Sequence, residues 1–485
     1  MRTALRVWAA PCARVVVPGA VLLLTASEAE ASGFGTARFG GEHGHPTTDN
    51  PTALYYNPAG IAEDTPGFEK KFWRVKIFAD ANLALRWASW SHANNPDSDI
   101  PEPEGASGAN TGEATLFNAV AAPAAAATMQ IENFAFGIGF FVPLGGSSSW
   151  SKNPDFEGSS EFPGPVDGVQ RWHTIDGTIR SLYFTVGAAY DILDRVSIGA
   201  TLNIIRSEVF TVRAREVSGT NNIETEGRSL IDVGGWNASF GIGVIGEIAP
   251  EKVWVGFSYQ AQPGMGQMDM EGTLTNKLTT GEPSTERVRL LQELPDIYRL
   301  GVRARPVKDV EIRVFGDMTN WSTFKNQCIV PETVVDPESG EEIANEQCDV
   351  EEDGSPTPGS LGPPIINIQR DWGPAFGLRA GGSYWVIPAV EVFVGAGYDS
   401  NAVPDRTLEP ALTDFQKASV AGGARFQFGE IFGADVSYTH IFYVPRDTTG
   451  QSEFPDFENP TKSPDSGGRY TQTIGVINVN AMASF

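Results

Sequence analysis

Few residues of this chain are suited to acid–base, nucleophilic or metal chemistry: five histidines (His43, His45, His92, His173, His440) and three cysteines (Cys12, Cys328, Cys348). None of the histidines sits in a recognisable nucleophile or zinc motif. His43-Gly44-His45 offers two metal ligands, but no third stands at a telling spacing, so the pair reads as ordinary surface. A lipase or protease is a weak rival on these grounds, and no catalytic residue, metal or cofactor is expected. Arg206, Arg313, Arg379 and Arg425 fall on segments with strand alternation and could receive a carboxylate. Inward arginines equally satisfy interior carboxylates such as Glu311.

Cys328 stands just ahead of, and Cys348 within, an acidic stretch, Glu332 to Asp353, with ten carboxylates and no Lys or Arg. An exported chain meets an oxidising compartment, so a disulfide closing a surface loop is expected. A metal pair is the alternative, without a neighbouring histidine to support it. The acidic stretch reads as a solvated loop. A sharper reading is divalent-cation bridging to lipopolysaccharide, but no calcium-loop spacing strengthens it.

Export is legible at the N-terminus. Arg2, Arg6 and Arg14 precede an apolar run from Val15 to Ala26, and Ala29-Glu30-Ala31 is a small-x-small cleavage pattern. The expected leader is 1–31 and the expected mature start is Ser32. A spanning helix needs roughly 20 apolar residues, and this run is shorter and broken by Pro18 and Gly19. Cys12 lies ahead of the run, behind Pro11, which argues against a lipoprotein. Removing 1–31 takes away three arginines and two glutamates, turning a net charge of −25 into −26. Nucleic acid is a poor partner for such a chain.

The elements that must position these residues are strands. Val196, Ile198, Ala200, Leu202 and Ile204 alternate with Ser197, Gly199, Thr201 and Asn203, and Val310, Ile312 and Val314 with Glu311 and Arg313. One face of each suits lipid and the other a polar interior. Similar strands are expected at about 134–142, 182–190, 236–247, 253–259, 298–305, 378–386, 390–398, 420–428 and 434–442. Short turns alternate with polar excursions at roughly 91–112, 145–175, 262–295, 326–372, 399–417 and 445–470. The longest apolar stretch, Ala119 to Ala127, is broken by Pro123. A bilayer would therefore be crossed by a closed sheet. The last strand, Ile477 to Phe485, alternates apolar and polar residues and ends on Phe485, the form in which a barrel presents itself to the assembly machinery. A soluble sandwich or propeller explains neither that ending nor the one-sided loop lengths. Trp73, Trp87, Trp254, Trp321, Trp372 and Trp385, near strand ends, are candidates for interfacial girdles. Residues 32–70 are not strand-like and 71–485 are.

Asn50-Pro51-Thr52-Ala53-Leu54-Tyr55-Tyr56-Asn57-Pro58-Ala59-Gly60 resembles the N-terminal hatch of the FadL family of outer-membrane transporters for long-chain fatty acids and other hydrophobic compounds. Phe136-Gly137-Ile138-Gly139 with Val142-Pro143-Leu144-Gly145 is similar to a second-strand pattern of that family. Leu294-Pro295, Gly301, Asp317 and Trp321-Ser322 are similar to its central strands, and Gly397-Tyr398-Asp399-Ser400, Val403-Pro404 and Tyr438-Thr439-His440 to its C-terminal third. The resemblance implies an all-β protein: a transmembrane antiparallel barrel of about fourteen strands (71–485) whose lumen holds the hatch (32–70). It also implies a monomer among lipid and lipopolysaccharide. The long acidic loop departs from the family pattern.

The implied mechanism is capture of a hydrophobic small molecule in an external groove, passage to a site near the hatch, and lateral exit into the outer membrane. Burial is worth about 0.8 kcal/mol per CH₂, so a long chain binds with few polar contacts and a gradient suffices to drive flow. Asn57, Pro58 and Ala59 are the expected gate residues, with Phe34 in the resting ligand site; the alternative is that they only fold the plug. An aromatic hydrocarbon channel is the nearest rival function. A porin for polar solutes is a third, disfavoured by a plug.

Overall fold

The computed structural model describes residues 30–31, 35–36, 38–63, 72–93, 102–192, 195–216, 222–278, 282–336, 338–345, 348, 364–454 and 463–485. Phe34 and residues 1–29 of the expected leader lie outside the described residues.

Fourteen antiparallel strands close into a barrel. Closure is made by the last, Arg469–Ser484, on the first, Trp73–His92, in register from Arg469↔Ser91 to Ser484↔Lys76. Alternation decides which side chain goes where. Ile198, Leu202 and Ile204 stand exposed on the outer wall beside Phe184 and Ile242, while Ser197, Thr201 and Asn203 are buried inside. In the last strand Ile477 and Val479 face out and Asn478 and Asn480 face in. So large an exposed apolar surface is stable only against lipid.

Two expectations need correction. Trp254, Trp321 and Trp372 are buried, and Trp385 lines an internal cavity, so only Trp73 and Trp87 of the six stand on the outer wall. For Trp254 parity is the reason, since it is inward between outward-leaning neighbours. The excursions at 262–295 and 326–372 are also not wholly loop. Gln267–Lys277 pairs with the upper half of the 23-residue strand Gly227–Ala249. Ser284–Glu293, Asn326–Pro331 and Ile366–Gln369 follow in sequence across the same sheet. These four strands form a roof sheet whose inner face buries Met270, Leu274, Leu290, Ile329 and Ile366. A disulfide joins Cys328, in the roof, to Cys348, with Cα atoms 5.9 Å apart.

Candidate functional site: hatch, cavities and a broken ladder

Residues 38–63 fold inside the barrel. Ala53–Tyr56 makes one helical turn, and Asn57 then caps a 3₁₀ turn, Pro58–Ala62, by accepting from the Ala59 N–H at 3.2 Å. Pro58 suits the first position of that turn, where no N–H is needed. The Asn57 amide donates to Pro46 O at 2.7 Å, Val244 O at 3.1 Å and Phe257 O at 3.3 Å, tying hatch to wall. The backbone of Pro58 and Ala59 lies directly on Gly199, where an added Cβ would collide with it. Asn57 meets Gly243 in the same way. The triplet singled out in the sequence is therefore wholly buried against the inner wall.

The preceding stretch, 38–50, is held differently. The Gly40 N–H donates to Asp80 at 2.9 Å, and Asp80 also accepts from Asn82 and Asn478. His43 Nε2 lies 2.8 Å from Glu391, and Lys76 donates to Asp49 O at 2.6 Å. His43 and His45 do not converge: the second bonds within the hatch to Thr47 at 2.9 Å. Of the four arginines read from the sequence, Arg313, Arg379 and Arg425 face inward and bind carboxylates. Arg206 faces the outer wall and stacks over Trp236.

Above the hatch lies an inner cavity lined by Phe39, Tyr55, Phe315, Trp321, Arg299 and Arg379, among others. Arg379 is spanned by Asp317 and Asp399 at 2.6 and 2.5 Å. Arg299 instead bonds the neutral Gln260 side chain at 3.2 Å and stacks on Tyr55 at 4.6 Å. Under the roof sheet is a second cavity, lined by Ile179, Val209, Leu290, Ile329 and Ile366, by Ser147, Thr178 and Thr211, and by Arg213. Arg213 is 4% exposed, and among the described residues its Nε and Nη2 have no hydrogen-bond partner. Glu409 borders the same cavity, bound to Arg370 at 2.5 Å and His173 at 3.3 Å. Burial would raise its carboxyl pKa, but those two neighbours hold it down at about 2.

The wall is interrupted beside the inner cavity. The ladder between Gly112–Ile131 and Phe134–Ser149 runs from Ile131↔Phe134 only to Ala125↔Phe140. On its other edge Phe134–Ser149 shifts register between Phe141 and Leu144, and Leu144 pairs with Gly35 from the N-terminal segment. Pro123 and Pro143, one on each strand, lack the N–H a ladder needs. Pro143 and Leu144 line the inner cavity, and Phe141 packs on hatch residues Phe39 and Tyr55 at 5.4 and 5.8 Å. The break was missed in the sequence reading; two prolines in facing strands were its only signal.

A lipid-facing barrel plugged by its own N-terminal segment, with partly apolar cavities above the plug, defines an outer-membrane transporter of hydrophobic compounds. The chain belongs to the outer membrane protein transport family (OMPP1/FadL/TodX), whose model matches residues 22–462. That family is one of transport channels for hydrophobic small molecules. Solved structures share the fold. A Pseudomonas aeruginosa FadL homologue superposes with a TM-score of 0.67 at 16% identity, covering 94% of this chain and 99% of that one. The Pseudomonas putida toluene transporter TodX gives 0.57 at 13% identity, with 95% and 99% covered. The Ralstonia pickettii toluene transporter TbuX gives 0.55 at 15%, with 89% and 93% covered. No curated protein matches the chain in sequence.

Proposed function

We propose that the chain takes up long-chain fatty acids, passing them from the roof cavity to the inner cavity and out through the broken ladder into the outer membrane. The observation that carries the fatty acid reading is Arg213: a guanidinium edge without a hydrogen-bond partner among the described residues, in a cavity with an Ile, Val and Leu wall on one side and polar groups, Glu409 and Arg370 among them, on the other. A buried donor without an acceptor is costly, and a carboxylate head with an apolar tail supplies what the site lacks. Toluene would leave it unsatisfied. Arg299 in the inner cavity, paired to no carboxylate among the described residues, supports the same class of ligand.

Several further roles belong to this reading. Residues 1–31 are the cleaved leader, Phe34 and Asn57-Pro58-Ala59 gate the path, and Phe485 is the assembly signal. The transporter acts without enzymatic activity, as a monomer surrounded by lipopolysaccharide. The terminal residue does take part in closure, exchanging backbone hydrogen bonds with Val75. The decisive experiment is uptake of radiolabelled oleate and toluene into cells with and without the gene, repeated with Arg213→Gln. The expected outcome is gene-dependent oleate uptake that falls severalfold in the variant. Gene-dependent uptake of toluene alone, untouched by the substitution, makes it an aromatic hydrocarbon channel.

A further inference from the structure

A third cavity lies below the hatch at the short-turn end of the barrel. Arg303, from the strand Ile297–Val307, lines it and is 3% exposed. Its guanidinium is fixed in place: the ring of Trp254 lies 4.5 Å beneath it, and Nη1 reaches Asp49 of the hatch at 3.4 Å. Its Nε and Nη2 have no hydrogen-bond partner among the described residues.

Two other inward arginines show what full pairing looks like here. Arg379 is held between Asp317 and Asp399, and Arg425 between Asp435 and Glu391, at 3.1 and 3.6 Å. Each bridges two carboxylates; Arg303 has one. The nearby acids are engaged elsewhere. Glu311 pairs with Arg313 at 3.0 Å, Glu391 with His43 and Arg425, and Glu63 bonds Ser197. The cavity wall carries Arg74, Lys76, Arg305 and Arg425 beside Arg303, against the carboxylates Asp49, Glu311, Glu391 and Glu430, so basic side chains outnumber acidic ones by one. The Nε/Nη2 edge is the side of a guanidinium that takes two oxygens of one oxyanion in parallel.

We propose that this edge is the binding site of a small oxyanion, of carboxylate or phosphate class, entering from the periplasmic side. The bound anion becomes the second acidic partner of Arg303 and braces the guanidinium that holds Asp49 of the hatch. The site is separate from the path for hydrophobic compounds, and the inference stands whichever of those compounds is carried.

The test is thermal unfolding of the detergent-purified full-length protein in sodium phosphate against sodium chloride of equal ionic strength. Crystals soaked in selenate then locate the ion by anomalous scattering. The expected result is a phosphate-specific rise in the unfolding midpoint and an anomalous peak on Nε and Nη2, both lost in Arg303→Gln. Arg303→Lys keeps a charge facing Asp49 without the fork and should lose both readouts, so it serves if the glutamine variant does not assemble. If phosphate is inert but native mass spectrometry shows phosphatidylglycerol retained by the wild type and lost from Arg303→Lys, the oxyanion is a lipid headgroup. Neither effect in the wild type, or both surviving in the variants, overturns the site.

Discussion

The two halves of the hatch meet the wall by different physics. Residues 38–50 reach strands Trp73–His92, Ile297–Val307 and Val390–Asp399 through hydrogen bonds and ion pairs. Residues 51–62 wedge Leu54, Asn57, Pro58 and Ile61 against the other side of the barrel, on strands from Gly112–Ile131 to Val253–Gln260. The difference teaches which half can yield. A hydrogen bond or ion pair, as at His43 and Asp49 beside the lower cavity, can exchange its partner for water at a net cost of about 0.5–1.5 kcal/mol per bond. A close-packed wedge has no such substitute, because shape is lost as soon as the surfaces part. Both halves touch Phe141, where the ladder ends, through Phe39 and Tyr55, so movement of either is felt at the gap.

The sharpest way to break the comparison is Gly199→Leu. Its side chain would occupy the space of Pro58 and Ala59, and overpacking of this kind costs about 1–3 kcal/mol or more. The expected outcome is a hatch that does not seat, read as leakage of small sugars into liposomes carrying the protein. Asn57→Ala comes next. It strips three wall and hatch carbonyls of a shared donor, and a loss of about 2–3 kcal/mol is expected, measurable as a lower unfolding midpoint with some sugar leak. Smallest is His43→Ala, since Glu391 keeps Arg425 as a partner. About 1 kcal/mol is expected there, with the liposomes still sealed. If His43→Ala leaks more than Gly199→Leu, the polar half is the true plug and the division drawn between the halves is wrong.

Much of the wall was legible in the sequence because period-two alternation is local: a residue such as Leu202 declares its face by its neighbours. Asn57-Pro58-Ala59 could be singled out by its place ahead of the first strand. Its partners could not, since Gly199 and Gly243 are ordinary strand glycines until the hatch lies on them. The roof strands were read as loop because 262–295 and 326–372 are polar and interrupted, and Gln267–Lys277 becomes a strand by extending a partner already standing. The tryptophans misled because a ring near a strand end is equally at home on either face.

The sequence by itself determined that the chain is exported, that it crosses the membrane as strands, and that a non-strand segment precedes them. Each of these is written in residue order over a few positions, as charge, hydrophobicity and period. Only the tertiary structure decided where the ladder breaks, which glycines receive the hatch, and which buried arginines lack a second acid. Arg303, Arg379 and Arg425 are alike in sequence and differ in what the closed barrel sets beside them. Such pairing depends on contacts between strands and with the hatch, and the pattern within one strand does not encode it.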